Sequence, residues 1–304
     1  MKSKMIIIHR AALALACCLT GTLKAQNLFF SDYWNNSVGE YMTSGATVNA
    51  SLISAGAGGA TGIAISGNDL FVANVTGTVG EYTTSGTTVN ASLISGLGDV
   101  ETIAISGNDL FTANYYAGNY YGIIGEYTTS GATVNANLIS TPMGTLNMAI
   151  SGNNLFVVNW ANGTIGEYTT SGATVNPSLI SGLGYAAGIA VSGNDLFVTT
   201  CGPGDSGPYT IGEYTTSGAT VNASLISGLY EPRGLAILGN DIFVANYRGN
   251  TVGEYTTSGA TVNADLISGL DGPWGIGVEQ VPEPTTATLA ALGTVALWRR
   301  RPGK

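Results

Sequence analysis

The chain contains almost no histidine or cysteine. Its single histidine, His9, and two of its three cysteines, Cys17 and Cys18, lie in the N-terminal segment. Cys201 is the one cysteine of the rest of the chain, which excludes an internal disulfide framework and a Cys-x-x-Cys zinc site there. Without histidine, the same part cannot form a Ser-His-Asp triad, a histidine base or an imidazole metal ligand.

Positive charge is nearly absent between Gln26 and Val281. This stretch has 18 Asp and Glu residues and only two cations, Arg233 and Arg248, giving a net charge of −16. Nucleic-acid binding needs clustered lysine and arginine, and anionic lipid head groups repel an acidic surface. The composition therefore excludes nucleic acid as a partner and disfavours peripheral membrane binding.

The first 25 residues predict an export signal. Positive charges precede the apolar stretch Ala11–Leu19, and the small residue Ala25 stands before the expected cleavage site at Gln26. A lipoprotein signal with Cys18 as the lipidated residue is the alternative. Both interpretations predict an exported protein.

The last segment, 281–304, combines three features in a fixed order. They are Pro282-Glu283-Pro284, the apolar stretch Thr285–Trp298 and the cluster Arg299-Arg300-Arg301. The simplest interpretation is a short tail anchor with flanking positive charge, although the 14 residues of the apolar stretch are fewer than the ~20 that span a bilayer. The order closely resembles the PEP-CTERM sorting signal of Gram-negative bacteria. That resemblance implies transient anchoring in the inner membrane, an exosortase-type enzyme as partner, and release or attachment at the cell surface.

The segment Gly80–Leu97, GEYTTSGTTVNASLISGL, is repeated along the chain. Six copies begin at Gly39, Gly80, Gly125, Gly166, Gly212 and Gly253, so the spacings are 41, 45, 41, 46 and 41 residues. Each unit contains four β-like segments, in one copy Gly62–Ser66, Leu70–Asn74, Thr78–Thr84 and Thr88–Ile94. Gly-Asn and Ser-Gly pairs predict hairpin turns between the first two and the last two segments. Four antiparallel strands at this period are typical of a β-propeller blade.

The two ends of the repeat region predict ring closure. The first unit begins with Leu28-Phe29-Phe30, a second strand, and the last ends with Trp274–Val278, a first strand without a unit of its own. Pairing them completes a sixth blade and removes open edges. We therefore predict an all-β fold over 26–280: a six-bladed β-propeller of four-stranded antiparallel blades, closed by N-terminal strands that pair with the C-terminal strand.

Residues shared by all copies are expected to serve the scaffold. The tyrosine of each Gly-Glu-Tyr motif is predicted to pack on the neighbouring blade, with the glycine leaving room for its ring. A sugar-stacking role for these tyrosines is the alternative. The six glutamates of the motif are expected to accept local hydrogen bonds, and a cation-binding ring of carboxylates is the rival hypothesis.

The copies differ mainly in two classes of loop that are predicted to emerge on one face. These loops join strands two and three within a blade, and one blade to the next. We call this surface the varied face. Its expected aromatic residues are Tyr33, Trp34, Tyr115, Tyr116, Tyr120, Tyr121, Trp160, Tyr185, Tyr230 and Trp274. Its expected charged residues are Asp32, Asp99, Glu101, Asp205, Glu231, Asp271, Arg233 and Arg248.

A ligand is expected on the varied face, because a repeat protein specialises where its copies diverge. Aromatic rings among amides and carboxylates suit carbohydrate or a metal-bridged ligand. The alternative is that these are solvent-exposed loops without a ligand, whose aromatic residues only pack within the loops. The candidate ligand-binding residues are Trp34, Tyr115, Tyr116, Trp160, Tyr230, Arg233, Arg248 and Trp274.

The blade pattern LFVAN, VGEY and GIAIS resembles the NHL and gluconolactonase-like six-bladed propellers. In the lactonase branch, Glu, Asn and Asp residues hold a metal on the axis. The resemblance implies as candidate equivalents the second-strand ends Asp32, Asn74, Asn114, Asn159 and Asn246. The streptogramin-lyase branch uses a histidine that this region lacks.

Two functions follow from these observations. The first is an exported, surface-associated or extracellular-matrix propeller that acts as a binding or structural module, with carbohydrate or matrix components as partners. The alternative is a metal-dependent hydrolase or lactonase, for which Ca²⁺ is the candidate ion. The close similarity of the copies favours a module without catalysis, because catalysis normally singles out a few positions.

Overall fold

The computed structural model describes residues 26–54, 58–116, 121–142, 144–201 and 207–279. The predicted export signal and sorting tail lie outside these residues. The described chain forms 24 β-strands and one short 3-10 helix. Among the described residues, no helix has the length and apolarity needed to cross a bilayer.

The strands form six four-stranded antiparallel sheets, one for each blade. Blade 1 contains β1 (Asn27–Asp32), β2 (Ser37–Met42) and β3 (Thr47–Ser54), and takes its innermost strand from β24 (Pro273–Val278). Blade 2 contains β4 (Ala60–Ser66), β5 (Asp69–Asn74), β6 (Thr78–Thr83) and β7 (Thr88–Ile94). Blade 3 contains β8 (Asp99–Ser106), β9 (Asp109–Tyr116), β10 (Tyr121–Thr128) and β11 (Thr133–Pro142).

The second half of the ring repeats this order. Blade 4 contains β12 (Thr145–Ser151), β13 (Asn154–Asn159), β14 (Thr164–Thr169) and β15 (Thr174–Ile180), with the 3-10 helix η1 (Trp160–Asn162) after β13. Blade 5 contains β16 (Tyr185–Ser192), β17 (Asp195–Cys201), β18 (Thr210–Thr215) and β19 (Thr220–Ser227). Blade 6 contains β20 (Pro232–Leu238), β21 (Asp241–Asn246), β22 (Thr251–Thr256) and β23 (Thr261–Ser268). The predicted six-bladed propeller is confirmed.

Closure of the ring uses the two ends of the described chain. Strand β1 pairs antiparallel with β24, matching Leu28 with Val278 and Phe30 with Ile276. The innermost strands contact their neighbours in a continuous circle, β4, β8, β12, β16, β20, β24 and back to β4. The prediction that one C-terminal strand joins three N-terminal strands is therefore confirmed.

The core is divided into six clusters, each between two neighbouring blades. The tyrosine of each Gly-Glu-Tyr motif packs into the cluster shared with the preceding blade, as Tyr82 of blade 2 does against Phe29 and Val38 of blade 1. A Cβ atom on Gly80 would lie 2.8 Å from Cε2 of Tyr82, so the glycine makes room for the ring. This confirms the predicted packing role of the tyrosines.

The outermost strand of each blade is irregular. The pairing of β6 with β7 has two register shifts, and the third and fourth strands of the other blades have the same pair of shifts. In blade 2, the backbone N–H of Ser92 donates to Oδ1 of Asn90 at 3.1 Å instead of extending a ladder. Bulges of this kind disrupt a flat edge and so discourage pairing with another chain.

Candidate ligand-binding face

Backbone hydrogen bonds join the two variable loop classes on one face. The N–H of Val75, after strand two of blade 2, donates to Gly59 O in the preceding connection at 3.1 Å. The N–H of Tyr247 likewise donates to Glu231 O at 3.1 Å. The two loop classes predicted for the varied face therefore lie beside each other in these blades.

One position of the innermost strand differs in every blade. In blade 2 this position is Thr61, two residues before Ile63, which pairs with Val72 of strand two. The position lies at the end of the innermost strand that is nearer the varied face, and it is found in the same way in the other blades. From blade 1 to blade 6 the residues are Trp274, Thr61, Glu101, Leu146, Ala187 and Arg233. The next positions repeat a Gly-Ile-Ala-Ile-like pattern, so this ring of six is where the inner strands have specialised.

Glu101 is the acidic member of this ring. Burial raises the pKa of its carboxyl to about 7, although the Arg233 charge opposes the rise and the Asp99 charge adds to it. Its Oε2 atom is buried and has no hydrogen-bond partner among the described residues. Blades 3 and 6 are opposite each other in a six-bladed ring, so the influence of Arg233 on Glu101 acts across the mouth of the central channel.

Arg233 lies against the aromatic residues of the closure. Its Cζ is 4.8 Å from the ring centroid of Trp274 and 5.5 Å from that of Tyr247. These distances are within the ~6 Å range of cation–π attraction. The same side chain donates a hydrogen bond from Nη2 to Oε1 of Glu231 at 2.5 Å. The aromatic rings and the Glu231 carboxylate together fix the position of the Arg233 guanidinium.

Four aromatic rings form one group where blades 1 and 6 meet. We call Tyr33, Trp34, Tyr247 and Trp274 the seam cluster. The ring centroids of Tyr33 and Trp274 are 5.1 Å apart and stacked, and those of Tyr33 and Trp34 are 4.9 Å apart and edge-to-face. The residues come from the loop after β1, the loop after β21 and strand β24. Ring closure therefore brings them together.

Glu231 is buried beneath this region in an uncommon backbone conformation. Its side chain forms ion pairs with both Arg233 and Arg248, and the residue is 4% exposed. Its φ of 51° lies in the left-handed region, and Gly272 occupies the corresponding pre-proline position of the next connection with a φ of 74°. A non-glycine residue there costs about 1 kcal/mol or more and persists where the surroundings hold it.

A shallow cleft of about 420 Å³ lies on the varied face over blade 6. It is bordered by Trp34, Tyr230, Tyr247, Arg248, Asn250 and Asp271. Trp34 is 61% exposed and Tyr230 is 53% exposed, and they are the two aromatic residues among the exposed large apolar residues of the described chain. Both open onto this one cleft.

Hydrogen bonds fix the polar wall of the cleft. Oδ1 of Asn250 accepts from the N–H of Gly272 at 3.0 Å, and Oδ2 of Asp32 accepts from the N–H of Asp271 at 3.1 Å. Burial raises the pKa of Asp32 despite its hydrogen bonds to Asn35 and Asp271. The wall is therefore a structured surface.

The structure brings five of the eight predicted ligand-binding residues to this region: Trp34, Tyr230, Arg233, Arg248 and Trp274. Tyr115 and Tyr116 lie on blade 3, where Tyr116 stacks on Tyr121 with ring centroids 5.2 Å apart. Trp160 lies on η1 of blade 4 and packs on Tyr185 at 5.3 Å. Tyr115 and Tyr116 therefore belong to a separate group, whereas Trp160 also borders a small cavity that Glu231 and Arg233 line.

The candidate metal ligands are distributed over five blades. Asp32, Asn74, Asn159 and Asn246 each end the second strand of their own blade, and Asn114 lies two residues before the end of β9. The Asn amide nitrogens donate locally, as Nδ2 of Asn74 does to Oγ1 of Thr78 at 2.6 Å. The buried Oδ1 atoms of Asp32, Asn114, Asn159 and Asn246 have no hydrogen-bond partner among the described residues. No group of three or more His, Cys, Asp and Glu side chains suited to a metal occurs among the described residues. Metal binding remains a prediction of the alternative function.

The binding residues predicted from the sequence do not include all the residues of this region. Tyr247 and Asn250 were not expected on the varied face, and Glu101 and Glu231 were placed on it without a role in binding. Asp271 was treated in the same way. Alignment of the six inner strands position by position carries a usable signal, because the ring containing Glu101 and Arg233 is a position where all copies differ.

Comparison with known proteins supports the fold. No protein-family model and no curated protein matches the sequence. A chain of the nidogen–laminin complex matches with a TM-score of 0.63 at 14% identity, covering 84% of this chain and 98% of that one. A putative 6-phosphogluconolactonase from Bacteroides fragilis matches with a TM-score of 0.61 at 11% identity, covering 86% and 99%.

A third solved structure has a similar relation to this chain. It is a protein of unknown function from Bacteroides caccae, with a TM-score of 0.59 at 15% identity, covering 85% of this chain and 100% of that one. Identities this low show a shared architecture alone. The comparisons therefore agree with the six-bladed β-propeller seen in the strand topology, which resembles nidogen and lactonase-like propellers in fold.

Proposed function

We propose that this protein is an exported, surface-associated binding propeller that holds a carbohydrate in the cleft over blade 6. One observation carries the proposal: Trp34 and Tyr230, the two highly exposed aromatic residues of the described chain, open onto the same cleft. Exposed aromatic side chains are costly to leave in water, and grouped ones mark binding surfaces.

The chemistry of the cleft suits a sugar. An aromatic ring offers a flat apolar face to the C–H side of a pyranose, while hydroxyl groups need donors and acceptors at the rim. Arg248 supplies donors, Asp271 supplies acceptors and Asn250 supplies both.

The proposed location follows from the two chain ends. Residues 1–25 would direct export, and the tail 281–304 would engage an exosortase-type enzyme before release or attachment at the cell surface. A carbohydrate-binding module at that location would contact surface or matrix polysaccharide. Binding without turnover is the proposed activity.

The test compares glycan-array binding of the wild-type protein with that of Trp34→Ala and Tyr230→Ala. Each substitution is expected to weaken retention by roughly tenfold or more, the loss typical of a central aromatic contact. Val262→Ala is the matched control, because Val262 is 54% exposed on the outermost strand of blade 6. Equal retention of all four proteins would refute the cleft as the binding site.

A further inference from the structure

We infer that the ligand of the blade 6 cleft is a saccharide unit carrying a carboxylate, bound by Arg248, with Glu231 as the residue that positions this arginine. The inference rests on the proposed function and specifies its ligand class. Its starting point is the placement of charge, since both cations of the stretch 26–281 lie in this region of an otherwise acidic propeller.

Arg248 presents a guanidinium edge to the cleft. Its Nε forms an ion pair with Oε2 of Glu231, while the side chain remains 59% exposed. No hydrogen bond or ion pair involves its Nη atoms among the described residues. An arginine held through Nε keeps two parallel N–H groups for a ligand, and that pair matches the two oxygens of a carboxylate.

Glu231 is placed to fix the orientation of this guanidinium. Its other oxygen accepts a hydrogen bond from Arg233 at 2.5 Å, and Arg233 is in turn packed on Trp274 and Tyr247. Removing one rotational degree of freedom from Arg248 before binding reduces the entropy lost on binding. This role explains why a buried glutamate occupies a left-handed position where the next connection uses Gly272.

The charges around Arg248 leave it able to bind an anion. Glu231 is shared between two arginines, so the three side chains carry a net charge of +1. Asp271, which also borders the cleft, repels a carboxylate and accepts from hydroxyl groups. This combination favours one acidic group on an otherwise hydroxylated ring.

The charge of the whole propeller restricts the ligand further. A net charge of −16 over residues 26–281 repels an extended polyanion at long range. A single carboxylate bound beside Arg248 avoids most of that repulsion. An isolated or terminal uronic acid in a largely neutral saccharide therefore fits better than a polyuronate or a sulfated polymer.

The experiment measures binding of three matched sugar pairs by calorimetry or ligand-observed NMR. The pairs are glucuronate with glucose, galacturonate with galactose, and mannuronate with mannose, which differ only at C6. For at least one pair, the wild-type protein is expected to bind the uronate roughly tenfold more tightly than the hexose, as a charge-assisted hydrogen-bond pair allows. Arg248→Gln is expected to bring that ratio close to one, because it removes the carboxylate contact, and to weaken uronate binding more than hexose binding.

Glu231→Gln separates positioning from simple electrostatics. Loss of a negative charge beside the cleft would by itself raise affinity for the uronate. Loss of the clamp on Arg248 lowers the uronate-to-hexose ratio, and this decrease is the expected result. Asp265→Asn is the matched charge control, since it removes one carboxylate from the outermost strand of the same blade. Melting curves of all variants establish that they fold.

Each other outcome has a defined meaning. Equal binding of hexose and uronate in every pair, both lost in Trp34→Ala, would overturn the carboxylate inference and leave the carbohydrate-binding function standing. No binding of any of the six sugars by the wild-type protein would overturn both. A higher uronate ratio in Glu231→Gln would overturn the positioning role of Glu231.

Discussion

Replacing Glu101 with glutamine is expected to stabilise the folded protein at neutral and alkaline pH. The side chain stands at the mouth of the central channel, where burial raises its pKa from 4.5 to about 7. Glutamine has nearly the same shape and carries no charge. The substitution therefore removes the cost of ionising a buried carboxyl and keeps the packing.

The size of the effect follows from proton linkage. In the unfolded chain this carboxyl titrates near 4.5, and in the folded chain near 7, so folding takes up a proton between these pH values. Folding stability consequently falls as the pH rises through this window and then levels off. A shift of this size corresponds to a free energy of unfolding lower by about 3 kcal/mol above the window.

The assay is chemical denaturation of wild type and Glu101→Gln from pH 4 to pH 8.5. The two proteins are expected to have similar unfolding free energies at pH 4, where the carboxyl is mostly neutral in both states. At pH 8 the variant is expected to be more stable by about 3 kcal/mol, which corresponds to a melting temperature higher by roughly 6–12 °C. Other titrating groups cancel in the difference between the two proteins.

A second variant tests the cause of the shift. The Asp99 charge raises the pKa of Glu101, so Asp99→Asn is expected to lower that pKa and reduce the gain from Glu101→Gln. A stability difference that does not change with pH would refute the reasoning. A wild-type protein more stable than Glu101→Gln at pH 8 would mean that Arg233 outweighs burial and keeps Glu101 ionised.

Two further predictions concern the closed ring. Gly62→Ala is expected to cost about 1–3 kcal/mol in thermal denaturation, because a Cβ there would lie 2.7 Å from the backbone N of Ile103 in the next blade. Gly67→Asn, at a turn with a φ of 61° and no atom within 4 Å of a new Cβ, is the control, and equal losses would contradict crowding as the cause. Ser31→Ala is expected to cost about 1–3 kcal/mol in chemical denaturation, since Oγ of Ser31 accepts from the N–H of Gly275 at 2.7 Å and donates to Thr61 O at 2.5 Å. An unchanged midpoint would show that this buried bridge between blades 1 and 2 adds no net stability.

The blade and its strands could be predicted from local sequence. The expected segments Leu70–Asn74 and Thr88–Ile94 correspond to β5 (Asp69–Asn74) and β7 (Thr88–Ile94), because β-branched runs and turn residues act over a few positions. The irregular outer strands were not predicted. Their bulges depend on which backbone N–H and C=O groups of the third strand can pair with the fourth strand. The alternation of apolar and polar residues in the sequence does not contain that information.

Only part of the candidate site could be predicted for a similar reason. The varied face followed from loop lengths, which are visible in an alignment of the copies. The grouping of Trp34, Tyr230, Arg233, Arg248 and Trp274 did not follow, and Tyr116 and Trp160 were equally plausible members. Which loops become neighbours depends on where the ring closes, and the seam between blades 1 and 6 lies beside the cleft.

The sequence by itself determined the number of blades, the strand order and the role of the repeated tyrosines. Each of these depends on a short-range residue pattern that is repeated six times. A wrong strand or turn assignment in one copy is therefore corrected by comparison with the other five. The tertiary structure alone decided that the Arg233 charge acts on Glu101 from the opposite blade and that Glu231 is shared by two arginines. Electrostatic and aromatic contacts act through space, and ring closure sets the distances between residues far apart in the chain.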